Sequence, residues 1–534
     1  MTDINAGVLG QLVETDGIQA VCRFDRAALL AARAAGGTEG LAASSIGGLV
    51  KIAVADRLLI ATLGELIEDR GNPHQIFATA EYVGEGAANA NGRLADFQRG
   101  ISTYPQPGDS VRFATSEDYS CIFAPPDAPH IMLGTVYPTA DVPAPVLFDW
   151  LLGRHFAVVG SSGTGKSTAV SLLLDRIISH VPHAHVVILD PHGEYAHAFG
   201  DRAELWDVSN LQLPYWAMNL AEHCEAFVTS SAEDAVVDRN ILAKCLHRAR
   251  ARNVRLSEAA QVTADSPVPY QLADLTGALD EEAGRLEKIA DASRYTQLRL
   301  SLEHHFADQR FNFIFNQDFA GHSLEKLLGD LLRIPGQGKP ISIIDLAGVP
   351  TEIVNVVVAT LSRLVLDYAI RTPRAQRAPV LLICEEAHRY LPHTASPATA
   401  AVKRQLERIA REGRKYGVCL GLVSQRPSEL SETALSQCGT IISLRLNNVE
   451  DQRQLKASLS EGARSLVDVI ASLKNRECII SGEGVPVPMR VRIDTVPVEG
   501  RPDSADALFS EKWREDGPGA EALSAVVRSW REGL

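Results

Sequence analysis

The chain has 534 residues, too many for one hydrophobic core, so two or three domains are expected. Hydrophobic residues make up 46% and charged residues 22%, and the net charge of −14 excludes a generally basic protein that coats nucleic acid. A local basic channel remains compatible with that charge. The eight cysteines form no C-x-x-C pair, so no structural zinc site is expected.

Neither a signal peptide nor a membrane span is expected. The first residues lack the charged and apolar regions of a signal peptide. No apolar run approaches the roughly 18 residues that a membrane span requires. Together with the cysteine usage, this indicates a cytoplasmic protein with no membrane partner.

The sequence pattern of the first part of the chain, residues 1–140, is typical of a small β-domain. Short β-branched or alternating runs are separated by Gly, Asn, Asp and Pro. The candidate strands are Gln19–Phe24, Gly48–Val54, Leu58–Leu63, Gln75–Val83 and Ser110–Phe113. Short strands at this density predict a β-barrel or a β-sandwich.

From about residue 150 apolar strands alternate with amphipathic segments, which predicts an α/β fold with a parallel sheet. The candidate strands are 156–160, 185–190, 341–346, 379–384, 418–424 and 440–446. Residues 141–496 are assigned to this domain, and 218–335 to a helical subdomain inserted in it. Residues 497–534 are expected to form a C-terminal arm, with a frayed tail as the alternative.

A phosphate-binding loop is the strongest motif. Residues 160–167 read GSSGTGKS, which fits G-x4-G-K-[ST], and they follow a short apolar strand and precede an amphipathic helix. Glycines let backbone N–H groups converge on a triphosphate, and the helix N-terminus favours anions. We expect Lys166 to reach the β- and γ-phosphates and Ser167 to bind Mg²⁺. The candidate ATP-binding residues are Ser162, Gly163, Thr164, Gly165, Lys166, Ser167 and Thr168.

Two adjacent carboxylates, Glu385 and Glu386, end the apolar run 380–384. ATP hydrolysis needs two such carboxylates opposite a phosphate loop. Glu385 is expected to hold the water shell of Mg²⁺, and Glu386 is expected to polarise the attacking water. The alternative is a solvated helix start. The first acid of this motif is usually Asp, and this chain has Glu385 at that position.

Four further side chains are candidates for the site. Gln425, after the run 418–424, is placed to contact the γ-phosphate or the lytic water, with a turn residue as the alternative. Arg411 or Arg414 is the candidate for an arginine supplied to a neighbouring subunit, although most of this basic run is expected to be a solvated face. Arg154 is a candidate phosphate contact, with a strand-edge charge as the alternative.

A second basic stretch lies in the predicted helical insertion. It contains Arg248, Arg250, Arg252 and Arg255. A solvated surface is the expectation, and a pore loop that grips DNA phosphates is the alternative.

With these residues collected, the chain resembles the HerA family of hexameric ATPases, within the FtsK–HerA group of DNA-pumping motors. The strings that carry the resemblance are 47–52 (GGLVKI), His155, 190–195 (DPHGEY), 385–388 (EEAH), 411–417 and 424–430 (SQRPSEL). The strings 190–195 (DPHGEY) and 424–430 (SQRPSEL) are far more specific than the phosphate loop. The resemblance covers nearly the whole chain.

The resemblance implies a ring of six RecA-like domains, with ATP and Mg²⁺ at the subunit boundaries and double-stranded DNA in the central pore. By residue-wise transfer, Lys166, Ser167 and Glu386 hydrolyse ATP and Gln425 senses it. The N-terminal region would be a HAS-type β-barrel that docks a NurA-like nuclease or another effector, in DNA end processing or antiphage defence. The C-terminal arm would brace a neighbouring subunit.

Two other functions fit the same residues. One is a DNA-independent assembly ATPase or signalling switch that uses the barrel to recognise proteins. The other is an ATP-dependent scaffold that activates a partner effector without processive movement along DNA. Stimulation of ATP hydrolysis by linear duplex DNA would distinguish the motor from both.

Overall fold

The computed structural model describes residues 8–35, 44–89, 92–228, 230, 232–254, 261–285, 289–459, 463–503, 509–514, 517 and 519–532. The described chain forms two compact units. Unit 1 comprises residues 1–182, 386–388 and 419–500, and unit 2 comprises residues 183–385, 389–418 and 501–534.

The strands and helices are numbered in chain order. The strands are β1 Gly10–Thr15, β2 Gln19–Asp25, β3 Leu49–Val54, β4 Arg57–Glu68, β5 Gln75–Ala88, β6 Leu94–Arg99, β7 Ser110–Phe113, β8 His130–Val136, β9 Pro143–Leu147, β10 Phe156–Val159, β11 Val186–Asp190, β12 Ala203–Trp206, β13 Ile341–Asp345, β14 Val380–Cys384, β15 Val418–Ser424, β16 Thr440–Ser443, β17 Glu477–Gly482 and β18 Met489–Ile493. The helices are α1 Arg26–Ala35, α2 Ser116–Ile122, α3 Phe148–Leu152, α4 Lys166–His180, α5 Ala196–Phe199, α6 Leu220–Phe227, α7 Ala232–Ala251, α8 Leu272–Ala283, α9 Ile289–Ala307, α10 Leu324–Leu332, α11 Thr351–Arg371, α12 Ala400–Tyr416, α13 Glu432–Leu435, α14 Val449–Ser458, α15 Arg464–Val467, α16 Phe509–Lys512 and α17 Ala520–Glu532.

The N-terminal part of unit 1 is a closed β-barrel, which confirms the first alternative of the sequence analysis. Its strand order is β2-β1-β7-β3-β4-β5-β6, and β2 also pairs with β5, so six strands close and β6 lies outside the ring. Inward residues such as Leu12, Phe24 and Ile52 form one apolar cluster. Strands β1 and β6 are not among those predicted, because few of their side chains are buried and the apolar alternation is weak.

The rest of unit 1 carries a mixed sheet with the order β15-β10-β16-β17-β18-β8-β9. Strand β10 pairs in parallel with both β15 and β16, whereas the pairs from β16 to β9 are antiparallel. All four residues of β10 are buried, which explains its unbroken run of apolar residues. The antiparallel strands β8, β9, β17 and β18 are not among the predicted ones.

Unit 2 contains a parallel sheet with the order β12-β13-β11-β14. Among the residues that the structure describes between β12 and β13, five helices, α6 to α10, occur, in agreement with the predicted inserted helical subdomain. All six predicted strands of the α/β region are present, so the predicted α/β fold class is confirmed. Strand β12 was not predicted, since its four residues, AELW, carry no clear apolar pattern.

The basic stretch of α7 is not the solvated surface expected from sequence. Arg250 is fully buried, and its guanidinium donates to the backbone carbonyls of Trp216 and Met218 at 3.2 and 2.7 Å. Arg248 pairs with Glu282, and Arg252 pairs with Glu281 at 2.6 Å. The fourth residue, Arg255, lies outside the described residues. Arg248, Arg250 and Arg252 therefore stabilise the insertion through carbonyls and carboxylates.

Helix α11 is long and apolar enough to cross a membrane by length and composition. Within the segment Ile353–Arg371, an 18-residue stretch reaches a mean hydropathy of 1.7, but 83% of that stretch is buried inside the protein. The same properties are found in the core helix of a soluble protein. Sequence analysis did not single out this segment, because Arg363 and Asp367 interrupt it.

Glu225, on α6, provides a test of the packing in unit 2. Burial, and then the neighbouring Glu222, raise the pKa of Glu225 to about 7. Neither carboxylate oxygen has a hydrogen-bond partner among the described residues. Because the pKa of Glu225 is raised above its ordinary value, this carboxyl contributes stability to the folded protein at low pH. That contribution is lost as pH rises through about 7.

We expect Glu225→Gln to raise the free energy of unfolding by about 1–2 kcal/mol at pH 8 and by much less at pH 5.5. Urea unfolding at the two pH values measures the difference. Glu325, exposed at the start of α10, offers the control Glu325→Gln, with a change below about 0.5 kcal/mol at both pH values. An equal effect of Glu225→Gln at the two pH values would contradict the prediction.

Candidate functional site

The phosphate loop lies between two parallel strands of unit 1. Val159, the last residue of β10, is paired with Ser424 of β15 and Ser443 of β16. The next residue, Gly160, donates its N–H to the Ser424 carbonyl at 3.3 Å. The N–H of Ser161 donates to the Arg445 carbonyl at 2.9 Å. Both neighbouring strands therefore fix the start of the loop.

Glycines shape the loop in two ways. Gly163 and Gly165 have φ of 72° and 93°, the left-handed region that other residues rarely adopt. Gly160 is needed for space, because a Cβ there would lie 2.8 Å from Thr164 Oγ1 and 2.9 Å from Leu444 Cβ. Close packing behind the loop and an open, exposed backbone in front leave its N–H groups accessible.

Lys166 begins α4, a helix of 15 residues. Its side chain is mostly buried, whereas Ser162, Gly163 and Gly165 are exposed and Ser167 and Thr168 are partly exposed. An exposed backbone at a helix N-terminus, with a lysine and a hydroxyl beside it, fits a polyphosphate with its Mg²⁺. The residues present thus fit the expected cofactors, ATP and Mg²⁺.

Glu386 also lies in unit 1, two residues beyond the end of β14. It is 8% exposed and has φ of 49°, a conformation that costs on the order of 1 kcal/mol or more for a residue with a Cβ. Its Oε2 lies 3.2 Å from His388 Nδ1 and has no hydrogen-bond partner among the described residues. Backbone strain and an unpaired buried carboxylate oxygen occur together at functional positions.

Glu385 belongs to unit 2, where Tyr195 holds it. The Tyr195 hydroxyl donates to Glu385 Oε2 at 2.6 Å, and both side chains are buried. Burial, and then the negative charge of Glu385, raise the pKa of Tyr195 well above its ordinary value, so the hydroxyl keeps its proton. Glu385 therefore has a fixed donor on one oxygen.

The segment 190–195 is folded around the Asp190 carboxylate. Asp190 accepts the N–H groups of His192, Gly193 and Tyr195 at 3.2, 2.9 and 3.0 Å. Burial raises the pKa of Asp190 to about 6 in spite of these bonds. The turn fixes the backbone of Tyr195, whose hydroxyl donates to Glu385. Sequence analysis missed this role because it used the string 190–195 only as a family marker.

Gln425 follows β15 directly and is partly exposed. The hydroxyl of the preceding residue, Ser424, accepts the Arg426 N–H at 3.0 Å and lies 3.2 Å from His388 Nδ1. The structure thus brings the phosphate loop, Glu386 and the start of the Gln425 loop together within unit 1. Sequence reasoning did not predict roles for Ser424 and His388.

The three candidate arginines have the following contacts. Arg154 pairs with Glu483 and lies over the Trp150 ring, 4.8 Å from its centroid, as a strand-edge charge would. Arg411 lies 3.7 Å from Glu407 on α12 with 54% of its side chain exposed. Arg414 is exposed in the last turn of α12. A phosphate contact for any of them stays a prediction.

Comparison with known proteins shows similarity to HerA helicases. The family model described as "Helicase HerA, central domain" matches residues 131–365. The DNA double-strand break repair helicase HerA of Sulfolobus acidocaldarius is 26% identical over 434 residues, which cover 80% of each protein. The protein of the same description from Sulfurisphaera tokodaii is 28% identical over 435 residues, covering 80% of this chain and 81% of that one. The chain is thus similar to HerA helicases over most of its length.

With this similarity and its phosphate loop, the chain is a P-loop ATPase. The segment matched by the family model contains the phosphate loop and the Asp190 turn but ends before Glu385, so the individual roles of the later residues rest on geometry. Among solved structures, VirB4 of Thermoanaerobacter pseudethanolicus is similar, with 16% identity and a TM-score of 0.49, over 70% of this chain and 99% of that one.

The bond from Tyr195 to Glu385 is open to a direct test. Tyr195→Phe removes the donor and leaves a buried carboxylate with one partner fewer, so we expect the free energy of unfolding to fall by about 1.5–3 kcal/mol. Tyr416→Phe is the control, since the Tyr416 ring lies near Arg377 and stays in place. Urea unfolding at pH 7.5 that gave the same stability for both variants would contradict the assignment.

Proposed function

We propose that this chain is an ATP-driven motor that moves along double-stranded DNA as a ring of six copies. The observation that carries the proposal is the grouping of the phosphate loop, Glu386 and the Gln425 loop around Ser424 in unit 1. The HerA relatives described as DNA double-strand break repair helicases support DNA as the substrate.

In this proposal the exposed Ser162, Gly163 and Gly165, together with Lys166, hold the phosphates of ATP. Thr164 shapes the loop from its buried side, and Thr168 lies next to Ser167 in the first turn of α4. Ser167 and Glu385 hold the Mg²⁺ shell, and Tyr195 fixes the carboxylate of Glu385. The bound ion supplies charge neutralisation to the phosphates. Glu386 polarises the attacking water, and its unpaired Oε2 is the oxygen available for that task.

Gln425 and an arginine from a neighbouring copy, Arg411 or Arg414, complete the site. Donors from both sides of a subunit boundary favour a closed boundary while the γ-phosphate is present. Loss of that phosphate removes their contacts, and the boundary relaxes. Sequence-independent contacts to DNA phosphates would convert this cycle into movement along the duplex.

The assembly and the partners are part of the same proposal. The N-terminal barrel docks a NurA-like nuclease or another effector, in DNA end processing or antiphage defence in the cytoplasm. The arm 497–534 braces a neighbouring copy. Support for the bracing role comes from Trp513 and Trp530, which are 80% and 82% exposed in unit 2.

Glu386→Gln tests the hydrolytic site. The amide keeps the size of the side chain but cannot accept a proton, so we expect kcat to fall at least about 100-fold with nucleotide affinity unchanged within two-fold. Steady-state ATPase rates with linear duplex DNA and binding of a fluorescent ATP analogue provide the two measurements. Lys166→Ala is the matched comparison, because it should lose nucleotide binding as well.

The same assays test the motor. We expect linear duplex DNA to raise the wild-type ATPase rate several-fold, with the effect decreasing as salt increases. An ATPase rate independent of DNA, together with activation of a partner effector that survives Glu386→Gln, would favour the scaffold instead.

Arg411 and Arg414 form a matched pair for the arginine assignment. Replacing the arginine that crosses the boundary with Ala should lower kcat at least about 100-fold without loss of ATP binding. The other replacement should change kcat less than three-fold. Two variants that both hydrolyse ATP at the wild-type rate would exclude α12 as the source of that arginine.

A further inference from the structure

His388 is a partly exposed side chain that the roles assigned so far do not use. It lies in unit 1, two residues after Glu386, with 14% of its side chain exposed. Its Nδ1 has two close neighbours: Ser424 Oγ at 3.2 Å and Glu386 Oε2 at 3.2 Å. One ring nitrogen thus lies between the end of β15 and the carboxylate that we assign to the lytic water.

The surroundings of Nδ1 decide where its proton lies. Ser424 Oγ already accepts the Arg426 N–H at 3.0 Å and has a second lone pair left for another donor. A proton on Nδ1 makes both contacts of the ring attractive. Without it, the Nδ1 lone pair would face a carboxylate oxygen at 3.2 Å, which is repulsive. The tautomer with the proton on Nδ1 is therefore favoured.

Ser424 connects this histidine to the phosphate loop. Its carbonyl accepts the N–H of Gly160, and its hydroxyl contacts both His388 and the backbone of Arg426. Ser424 is fully buried and paired in register with Val159, so it has little freedom to move alone. Ser424 would move only together with its strand end. A shift of the Gln425 loop that moves this strand end would therefore be transmitted to His388 through the Ser424 hydroxyl.

The contact between His388 and Glu386 orients the carboxylate without fully engaging it. Oε2 of Glu386 has no hydrogen-bond partner among the described residues, so the 3.2 Å approach of Nδ1 acts through charge and dipole. A carboxylate held in this way keeps a lone pair for a water molecule. The left-handed backbone of Glu386, with φ of 49°, limits the directions in which its side chain can point.

We propose that His388 is a positioning residue of the ATPase site: its Nδ1–H, held by the Ser424 hydroxyl, orients the Glu386 carboxylate and couples it to the strand end where the Gln425 loop begins. The proposal rests on the role proposed for Glu386 above. His388 acts through Glu386 and does not itself touch the nucleotide.

Three replacements separate positioning from mere packing. His388→Asn places an amide near the position of Nδ1, His388→Gln places it near Nε2, and His388→Ala removes the polar group. We expect Ala and Gln to lower kcat about 10- to 100-fold, with the KM for ATP and the affinity for a fluorescent ATP analogue unchanged within two-fold. Asn should retain at least about a third of the wild-type kcat.

The control is His130→Asn. His130 is the first residue of β8 in the same unit, and its Nδ1 lies 2.9 Å from the Ala128 carbonyl, outside the site. This variant should match the wild type in kcat. Rates are measured on the full chain with linear duplex DNA, and thermal unfolding is recorded for every variant.

The proposal is overturned if all three His388 variants hydrolyse ATP within two-fold of the wild type. It is also overturned if Asn is as slow as Ala, or if the loss in kcat is matched by a loss of nucleotide affinity. Glu386→Gln, measured in parallel, separates this failure from that of the proposed function. If Glu386→Gln is inactive and the His388 variants are normal, only the proposed role of His388 is wrong. If Glu386→Gln is active, the proposed role of Glu386 is wrong, and the role of His388 that rests on it is wrong as well.

Discussion

The site depends on the parallel pairing of β10 with β15. This pairing sets Val159 beside Ser424, so that the phosphate loop and the Gln425 loop leave the sheet at the same edge. The bond from the Gly160 N–H to the Ser424 carbonyl continues the register by one residue into the loop. A slip of one residue would turn Ser424 to the other face of the sheet and separate it from His388.

Each of the two adjacent glutamates has a close side-chain partner, and the two partners differ in kind. Tyr195 donates a hydrogen bond of 2.6 Å to Glu385, which suits a carboxylate that has to stay in place beside a metal ion. Glu386 Oε2 has the looser approach of His388 at 3.2 Å and no hydrogen bond within the described part of the chain, which suits a carboxylate that has to act on water. Adjacent residues of the same type are thereby given different environments, through the Asp190 turn in one case and through Ser424 in the other.

The sequence predicted the parts of the molecule that follow from strong local patterns. Fully buried strands such as β10 and β14 are continuous apolar runs, and the loop 160–167 needs its glycines for φ and for space, so both were visible. The antiparallel strands such as β17 were missed because only their pairing identifies them. The roles of Tyr195 and His388 were missed for a similar reason: their contacts depend on tertiary structure. Burial of Arg250 among carbonyls also left no mark on the local pattern.

The central claim is that Glu386 and Gln425 act on the same γ-phosphate that Lys166 holds. A cryo-EM structure of the full chain with linear duplex DNA, Mg²⁺ and ADP–beryllium fluoride tests it most directly. We predict the fluoride group within hydrogen-bond distance of both the Lys166 amine and the Gln425 amide, with a water between it and Glu386. A nucleotide bound away from the loop 160–167, or Glu386 and Gln425 both turned away from the fluoride group, would contradict the claim.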